Sequence, residues 1–547
     1  SQNDGANTGG PGGMPNLQFN YGDDARGEIV LDDQDNVYVA SCTQSNNFPT
    51  TNGAFQTALN GRMDGCVFKM TPFLTNMIFS TYLGGSGDDA SYSLKVDNLD
   101  QPFVTGGTMS HNFPPTPGPL TPNYQGGVDG YVVHFDATGS NLLRSTYIGN
   151  NTYNQCYFIE LDRDEDVYIL GQKLGAWPIV PAGIWSTPNG GGQFIMKLDN
   201  GLSNIVYSTE FGTSNNLVNI SPTAFLVDVC EFVYVSGWGG ATNAQAGVGN
   251  TSGLPVSPNA YQSTTDGSDL YILVLQPEIV GVEYATFIGG PNSNEHVDGG
   301  TSRFNKRAEI YQSVCAGCGS FDDFPTTPGA FSSTNNSNNC NLACFKLSLD
   351  LPGVVADFYP DPDTIGCAPQ TITFNNLSAG GNTYQWSFGD GNTSNAFSPT
   401  HTFQNAGIYS VQLIATDSNT CNVVDTAFRT IIVAPVPVAQ VSPDTAVCEG
   451  ESIQLFAGGG QTYQWIPALY LNNPVSSSPI ATPTASVTYD VIVTSAGGCS
   501  DTASVTVDLH PNPQAAAIGD TLICPGDSVP ISASGGLTYQ WSPTAGL

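Results

Sequence analysis

The chain has 547 residues, with 13 Lys and Arg against 47 Asp and Glu, and a formal charge of −34 at pH 7. So acidic a surface repels nucleic acid and anionic membranes, which both need a basic patch, and it suits either solubility or the recruitment of divalent cations. No apolar run approaches the roughly 18 residues that span a bilayer, so direct membrane insertion is not expected.

The segment 1–25 is rich in Gly. From there on, short alternating stretches of Thr, Ser, Val and Tyr are bounded by Gly, Asn, Asp and Pro, which argues for an all-β protein. Over 26–352 two phrases alternate. One is aromatic and threonine-centred, around Thr81, Thr146, Thr209 and Thr286, in steps of 65, 63 and 77 residues. The other is a proline turn, as in Phe48-Pro-Thr-Thr, Phe113-Pro-Pro-Thr and Phe324-Pro-Thr-Thr. Between them lie strand pairs joined by acidic turns, such as Asp32-Asp33-Gln-Asp35 and Asp162-Arg-Asp164-Glu-Asp166. Four antiparallel strands per period describe a propeller blade with one enlarged loop, and five blades are visible.

The run Ser80-Thr-Tyr-Leu-Gly-Gly-Ser-Gly-Asp-Asp89, with Val37-Tyr-Val39 and Phe48-Pro-Thr-Thr-Asn-Gly-Ala-Phe55, resembles the SBBP β-propeller repeats of bacterial surface proteins. The block from Glu295 to Phe304, with Cys315-Ala-Gly-Cys-Gly319, resembles large secreted proteins of the Bacteroidota. That resemblance implies export by the type IX route and a seven-bladed ring, two blades more than the repeats counted.

The pattern changes at about 353. Trp386-Ser-Phe-Gly-Asp-Gly391, His401-Thr-Phe403 and Gly407-Ile-Tyr-Ser-Val-Gln-Leu413 closely resemble a PKD domain over 353–435. The resemblance implies an immunoglobulin-like sandwich with Trp386 in its core and a tight turn at Asp390. A second such module is expected over 436–511, around Tyr463-Gln-Trp465. The phrase Thr-Tyr-Gln-Trp recurs to Trp541, so 512–547 reads as the start of a third, and the chain reads as a piece of a longer repeat protein. Proline joints at 434–438 and 510–513 predict stiff linkers.

Thirteen cysteines are present. Position suggests Cys42 with Cys66, Cys315 with Cys344, Cys318 with Cys340, and Cys156 with Cys230. In the C-terminal modules it suggests Cys367 with Cys421 and Cys448 with Cys499, leaving Cys524 for a mate beyond residue 547. Such pairing belongs to an oxidising, extracellular compartment. The alternative is zinc held by Cys315-x-x-Cys318 and Cys340-x3-Cys344.

Three further groups invite chemistry. Asp162, Asp164 and Asp166 have the alternating spacing of calcium loops, repeated at Asp32, Asp33 and Asp35, though the bend-forming Gly of an EF-hand is missing. The alternative is a solvated turn. Glu295, His296 and Asp298 are the tightest cluster of ligand types. Asp-(Ser/Thr)-aliphatic triplets at Thr364, Thr426, Thr445, Thr502, Thr521 and Ser528 resemble O-glycosylation acceptors of Bacteroidota, or else merely open strands. No nucleophile–base phrase is present. The chain is therefore expected to be a non-catalytic surface adhesin or appendage subunit, with no cofactor beyond possible calcium. Its expected partners are other surface proteins, glycans or itself. The rivals are an accessory region of a glycan-degrading enzyme and a self-assembling filament subunit.

Overall fold

The computed structural model describes residues 17, 26–114, 116, 118–240, 243, 249–297, 303–305, 307–349, 353–362, 365–517 and 521–547. The described residues are built from strands and contain no α-helix, as the alternating pattern requires. The Gly-rich segment 1–25 lies outside the described residues, apart from Leu17. The chain forms two compact units. One holds 1–358 with 377–385 and 413–428. The other holds 359–376, 386–412 and 429–547.

In the first unit, five antiparallel meanders follow one another. The first sheet runs Glu28–Leu31, Val37–Thr43, Asp64–Met70 and Met77–Leu83. The second runs Asp89–Val96, Pro102–Thr108, Asp129–Phe135 and Leu142–Ile148. The third opens at Asn154–Leu161 and closes at Ile205–Phe211, and the fourth opens at Ser221–Val227 and closes at Val282–Ile288. The fifth sheet has three strands, Arg303–Phe304, Glu309–Ala316 and Asn341–Ser348. In the middle sheets the third strand is buried on both faces, as in Gln193–Leu198 and Leu270–Leu275. Such strands need near-continuous apolar sequence, and Leu270-Tyr-Ile-Leu-Val-Leu275 supplies it.

The two recurring phrases meet in these sheets. Thr81 Oγ1 accepts a hydrogen bond from the Gln56 amide (2.9 Å), Thr146 from Thr121 (3.0 Å) and Thr286 from Gln262 (2.9 Å). The tyrosine one residue on completes the tie. Tyr82 donates its hydroxyl to Ser45 O (2.7 Å) and Tyr147 to Ser110 O (2.9 Å). The threonine phrase of each fourth strand thus straps down the proline loop that precedes it. Each such hydrogen bond contributes about 1 kcal/mol.

Polar side chains on the first strands of the five sheets, or just ahead of them, also touch. Glu28 bonds the Ser93 hydroxyl and pairs with Arg303 at 2.6 Å. Lys95 pairs with Glu160 at 2.9 Å. Arg26 donates to Pro222 O and Ser221 Oγ, both at 2.9 Å, with its guanidinium 4.6 Å from the Tyr157 ring.

Residues 353–435 carry two sheets. One joins Phe358–Asp361, Gln370–Asn376 and Thr400–Phe403, and the other runs in the order 365–367, 424–434, 407–416, 383–387, 393–394. Trp386 is fully buried against Phe374, and its indole donates to Ala396 O at 2.9 Å. Trp465 repeats this in the next module, donating to Ser476 O at 2.9 Å. Trp541, by contrast, is only half-buried.

The disulfides correct most of the expected pairing. Three bonds form: Cys230–Cys421, Cys318–Cys340 and Cys367–Cys499. Cys318–Cys340 was expected. Cys230 and Cys421 are partners, not mates of Cys156 and Cys367, and Cys367 takes Cys499 away from Cys448. Pairing of Cys42 with Cys66 fails on register. Cys66 sits opposite Ser41, so Cys42 projects to the other face. Cys344 sits opposite Ser313 and Cys315 opposite Leu342. Those two cysteines are diagonal neighbours, wider apart than the ~3.8 Å Cβ spacing of a disulfide. Cys156 is a fully buried thiol, pushed up to about 12 by that burial. Cys448 is a half-buried thiol and Cys524 an exposed one.

Candidate functional site

The acidic turns resolve into a backbone device. Asp32 Oδ1 accepts the amides of Gln34 (3.0 Å) and Asn36 (2.9 Å). Asp162 does the same for Asp164 (2.9 Å) and Asp166 (3.0 Å), and Asp228 for Cys230 (2.8 Å) and Phe232 (3.0 Å). One residue of each turn is left-handed, with φ of 61° at Asp35, 64° at Glu165 and 65° at Glu231. The leading Asp exists to satisfy a tight hairpin. The turn by itself accounts for the spacing of Asp162, Asp164 and Asp166. The cation facing Asp162 is the Lys197 ammonium, 2.7 Å away and nearly buried, with Asp166 at 3.4 Å and Glu231 at 3.8 Å. In the first sheet Lys69 meets Asp32 at 2.9 Å in the same way. Asp164 contributes its backbone amide rather than a carboxylate to the turn.

A second repeating acidic feature was not visible in the sequence. The third strand of the first and second sheets opens with a buried aspartate, Asp64 or Asp129, and a buried Asp269 directly precedes that of the fourth. The first strands of the second and third sheets open with Asp89 and Asn154, and Glu295 lies ahead of the fifth sheet; all three are buried. Burial pushes the Asp89, Asp129 and Asp269 carboxyls up to about 7. A glycine lies between each pair because nothing larger fits. A Cβ on Gly289 would lie 1.8 Å from Asp269 Oδ1 and 2.8 Å from Glu295 Oε2.

The cluster at Glu295 separates into two environments. Glu295 accepts the amides of Gly290 and Gly317, both at 3.3 Å, and bonds the Ser293 hydroxyl. His296 instead pairs with Cys315 through the backbone, with N–O distances of 3.3 and 2.9 Å. Its Nδ1 lies 3.7 Å from Cys318 Sγ. Asp298 lies outside the described residues. The four-cysteine zinc reading does not assemble, because Cys344 Sγ contacts Ser313 Oγ at 3.4 Å on the strand edge. Among the described residues, His296, Cys318 and Cys340 are the set whose ligand atoms converge, all within 4.8 Å.

Beside this cluster lies a cavity of about 520 Å³ between the third strand of the fifth sheet and the loop 321–335. Phe321, Phe324, Phe331, Phe345 and Lys346 line it. In the first sheet the equivalent loop, 48–55, is bonded to its fourth strand, where Thr51 N donates to Ser80 O (3.1 Å) and Ser80 N to Thr51 Oγ1 (3.0 Å).

The candidate glycan acceptors divide by exposure. Thr502, Thr521 and Ser528 are exposed, Thr426 and Thr445 are half-buried, and Thr364 lies outside the described residues. Their aspartates have structural work. Asp425 accepts the Ala356 amide and Asp501 the Ala439 amide, each at 2.8 Å, tying the last strand of each module to the residues that lead into its first. Asp444 accepts the Thr506 amide at 2.7 Å. In the PKD turn, burial pulls the Asp390 carboxyl up, but the Asn392 amide and His401, 2.7 Å away, hold it below its usual value.

No curated protein matches the chain. Among solved structures it is similar to the PKD1 domain of Vibrio anguillarum Epp, at 29% identity over 15% of this chain and 93% of that one, with a TM-score of 0.13. It is also similar to the PKD1 domain of the Vibrio cholerae metalloprotease PrtV, at 34% identity over 15% and 96%, with a TM-score of 0.13. Likeness to Drosophila N-cadherin EC1-4 is at 12% identity, over 37% and 58%, with a TM-score of 0.13. A family model of the PKD domain matches residues 355–433, so the chain contains a PKD domain within an all-β, disulfide-bearing architecture of extracellular type.

Proposed function

We propose that this chain is a non-catalytic extracellular scaffold, an adhesin or a structural subunit of a surface appendage. The observation that carries the reading is the reach of its disulfides. Cys230–Cys421 spans 191 residues and Cys367–Cys499 spans 132. The first ties a hairpin turn of the fourth sheet to the PKD region, and the second ties the PKD region to the module after it. Cys230–Cys421 lies within the first compact unit and Cys367–Cys499 within the second, so each bond locks together segments far apart in the chain, and rigid display needs that. A PKD domain and proline linkers accord with a stalk of beads. Under this reading the five meanders are propeller blades in a surface protein of Bacteroidota type, exported by the type IX route. Support comes from the polar contacts on and just ahead of the five first strands and from the repeated loop straps. Glycans on Thr502, Thr521 and Ser528 would shield the stalk.

Two measurements test this. Alkylation of protein isolated without reductant should leave Cys230, Cys318, Cys340, Cys367, Cys421 and Cys499 unmodified, and antibodies should label the chain on intact cells. Modification of those six thiols, or turnover of a glycan by this chain alone, would overturn the proposal. Glycopeptide spectra showing the three exposed hydroxyls bare would remove the shielding.

A further inference from the structure

We propose that His296, Cys318 and Cys340 form a three-ligand site for a thiophilic cation of the zinc type once the Cys318–Cys340 bond is reduced. The backbone bridge between His296 and Cys315 fixes the imidazole beside the Cys315-Ala-Gly-Cys318 turn. Cys340 is delivered to the same point as the last residue before the strand Asn341–Ser348. Three elements distant in sequence therefore aim one nitrogen and two sulfurs at one spot, all within 4.8 Å.

The spacing suits tetrahedral coordination. Zinc bonds of about 2.3 Å to sulfur and about 2.0 Å to nitrogen set a tetrahedral S···N edge of roughly 3.6 Å. Nδ1 of His296 already lies 3.7 Å from Cys318 Sγ. On reduction the sulfurs need only turn about χ1 to reach the S···S edge of roughly 3.8 Å. Two thiolates and an imidazole are a soft donor set, which selects zinc or copper(I) over calcium or magnesium. Solvent takes the fourth position.

The two states exclude each other and balance simply. A phosphine reductant transfers two electrons to the S–S bond and takes oxygen from water to become its oxide, leaving two thiols. Metal binding then expels one proton from each thiol. Either state closes the loop between 318 and 340, and that loop forms one wall of the neighbouring cavity. Metal would keep the wall in place where the disulfide cannot persist.

The test uses the whole chain, treated with a phosphine reductant, freed of excess reagent and titrated with cobalt(II) under argon. One equivalent should bind with a sulfur-to-cobalt charge-transfer band. The untreated disulfide form should lack that band. The double variant Cys318→Ser/Cys340→Ser, which retains every other thiol, should lose it. His296→Ala should weaken binding at least tenfold and shift the ligand-field spectrum, while amide exchange in the other four sheets stays unchanged. Binding by the double variant equal to that of the reduced parent would overturn the proposal. So would a His296→Ala spectrum and affinity identical to the parent's.

Discussion

The first four sheets and the fifth are built from the same sequence phrases, yet they end differently. Sheets one to four each close with a threonine-bearing fourth strand that holds the proline loop down. The fifth keeps the loop phrase, Phe324-Pro-Thr-Thr-Pro-Gly-Ala-Phe331, and even its internal turn, where Ala330 N donates to Thr327 O at 3.1 Å, as Ala54 N does to Thr51 O. Among the described residues it has no fourth strand. Its third strand alternates half-buried and exposed residues, with Leu342 76% exposed, whereas the equivalent Leu270–Leu275 is buried throughout. The cavity sits where a fourth strand would lie. The loop conformation is therefore encoded in the loop itself, and the strap adds stability rather than shape.

The widest contrast lies in the third strands. Leu273→Ala, inside the fully buried strand of the fourth sheet, should cost about 3 kcal/mol. Leu342→Ala should cost under about 0.5 kcal/mol. Native-state hydrogen exchange reads each sheet separately, which a multidomain chain requires. A comparable loss at Leu342 would mean that the edge is covered. Next comes the strap. Thr51→Val strands the Ser80 amide and should cost about 1–2 kcal/mol in first-sheet exchange, against under about 0.5 kcal/mol for Thr327→Val in the fifth. Equal costs would show that the fifth loop has found a strand to bind.

Much of this was legible because the repeating phrases carry the hydrogen bonds themselves. Thr81, Thr146 and Thr286 recur because each binds a loop amide, and the period followed from them. The acidic turns are legible as turns, while calcium at Asp162, Asp164 and Asp166 rests on spacing alone. Lys197, which neutralises Asp162, sits on a neighbouring strand that sequence spacing does not reveal. The cysteines were least legible. Whether Cys66 can reach Cys42 depends on which residue faces Ser41, and a one-residue step in register reverses the answer. Cys230 and Cys421 are joined across 191 residues by the packing of separate elements. His296 was noticed for its acidic neighbours, while the sulfur beside it comes from a turn twenty-two residues later.

The buried aspartates sharpen the comparison through pH. Asp129 opens the third strand of the second sheet, where the third sheet has the neutral Gln193. Its carboxyl is pushed up to about 7 by burial, and its Oδ1 has no hydrogen-bond partner. An unfolded aspartate ionises near 3.9, so below about pH 4 both states are protonated and the residue contributes nothing to the pH dependence. As pH rises from there, the unfolded chain releases its proton first and the native state is penalised, fully so above about 7. Asp129→Asn should therefore stabilise the second sheet by about 1–2 kcal/mol at pH 8 and by almost nothing at pH 4. A gain independent of pH would assign the effect to packing, and the sheet junctions would lose their sensitivity to protons.

The smallest effect is expected at the edge of the fifth sheet, and its size is informative. Lys346 pairs with Glu309 there, beside Arg307. Burial pulls the Glu309 carboxyl up, but Lys346, Asn305 and Arg307 outweigh it and bring it down to about 2. A depressed carboxyl contributes stability that is present above the unfolded value near 4.3 and is lost as pH falls towards 2. Glu309 is nearly buried but Lys346 is open to solvent, and a pair with one solvated partner contributes little and fades with salt. Lys346→Met should thus change fifth-sheet exchange only slightly at low ionic strength and not at all in concentrated salt. The buried Lys197, with three carboxylates around it, should keep its contribution in the same salt. If Lys346 proved as resistant to salt as Lys197, water would have to be excluded from the edge strand. The fifth sheet would then be completed in solution, like the four before it.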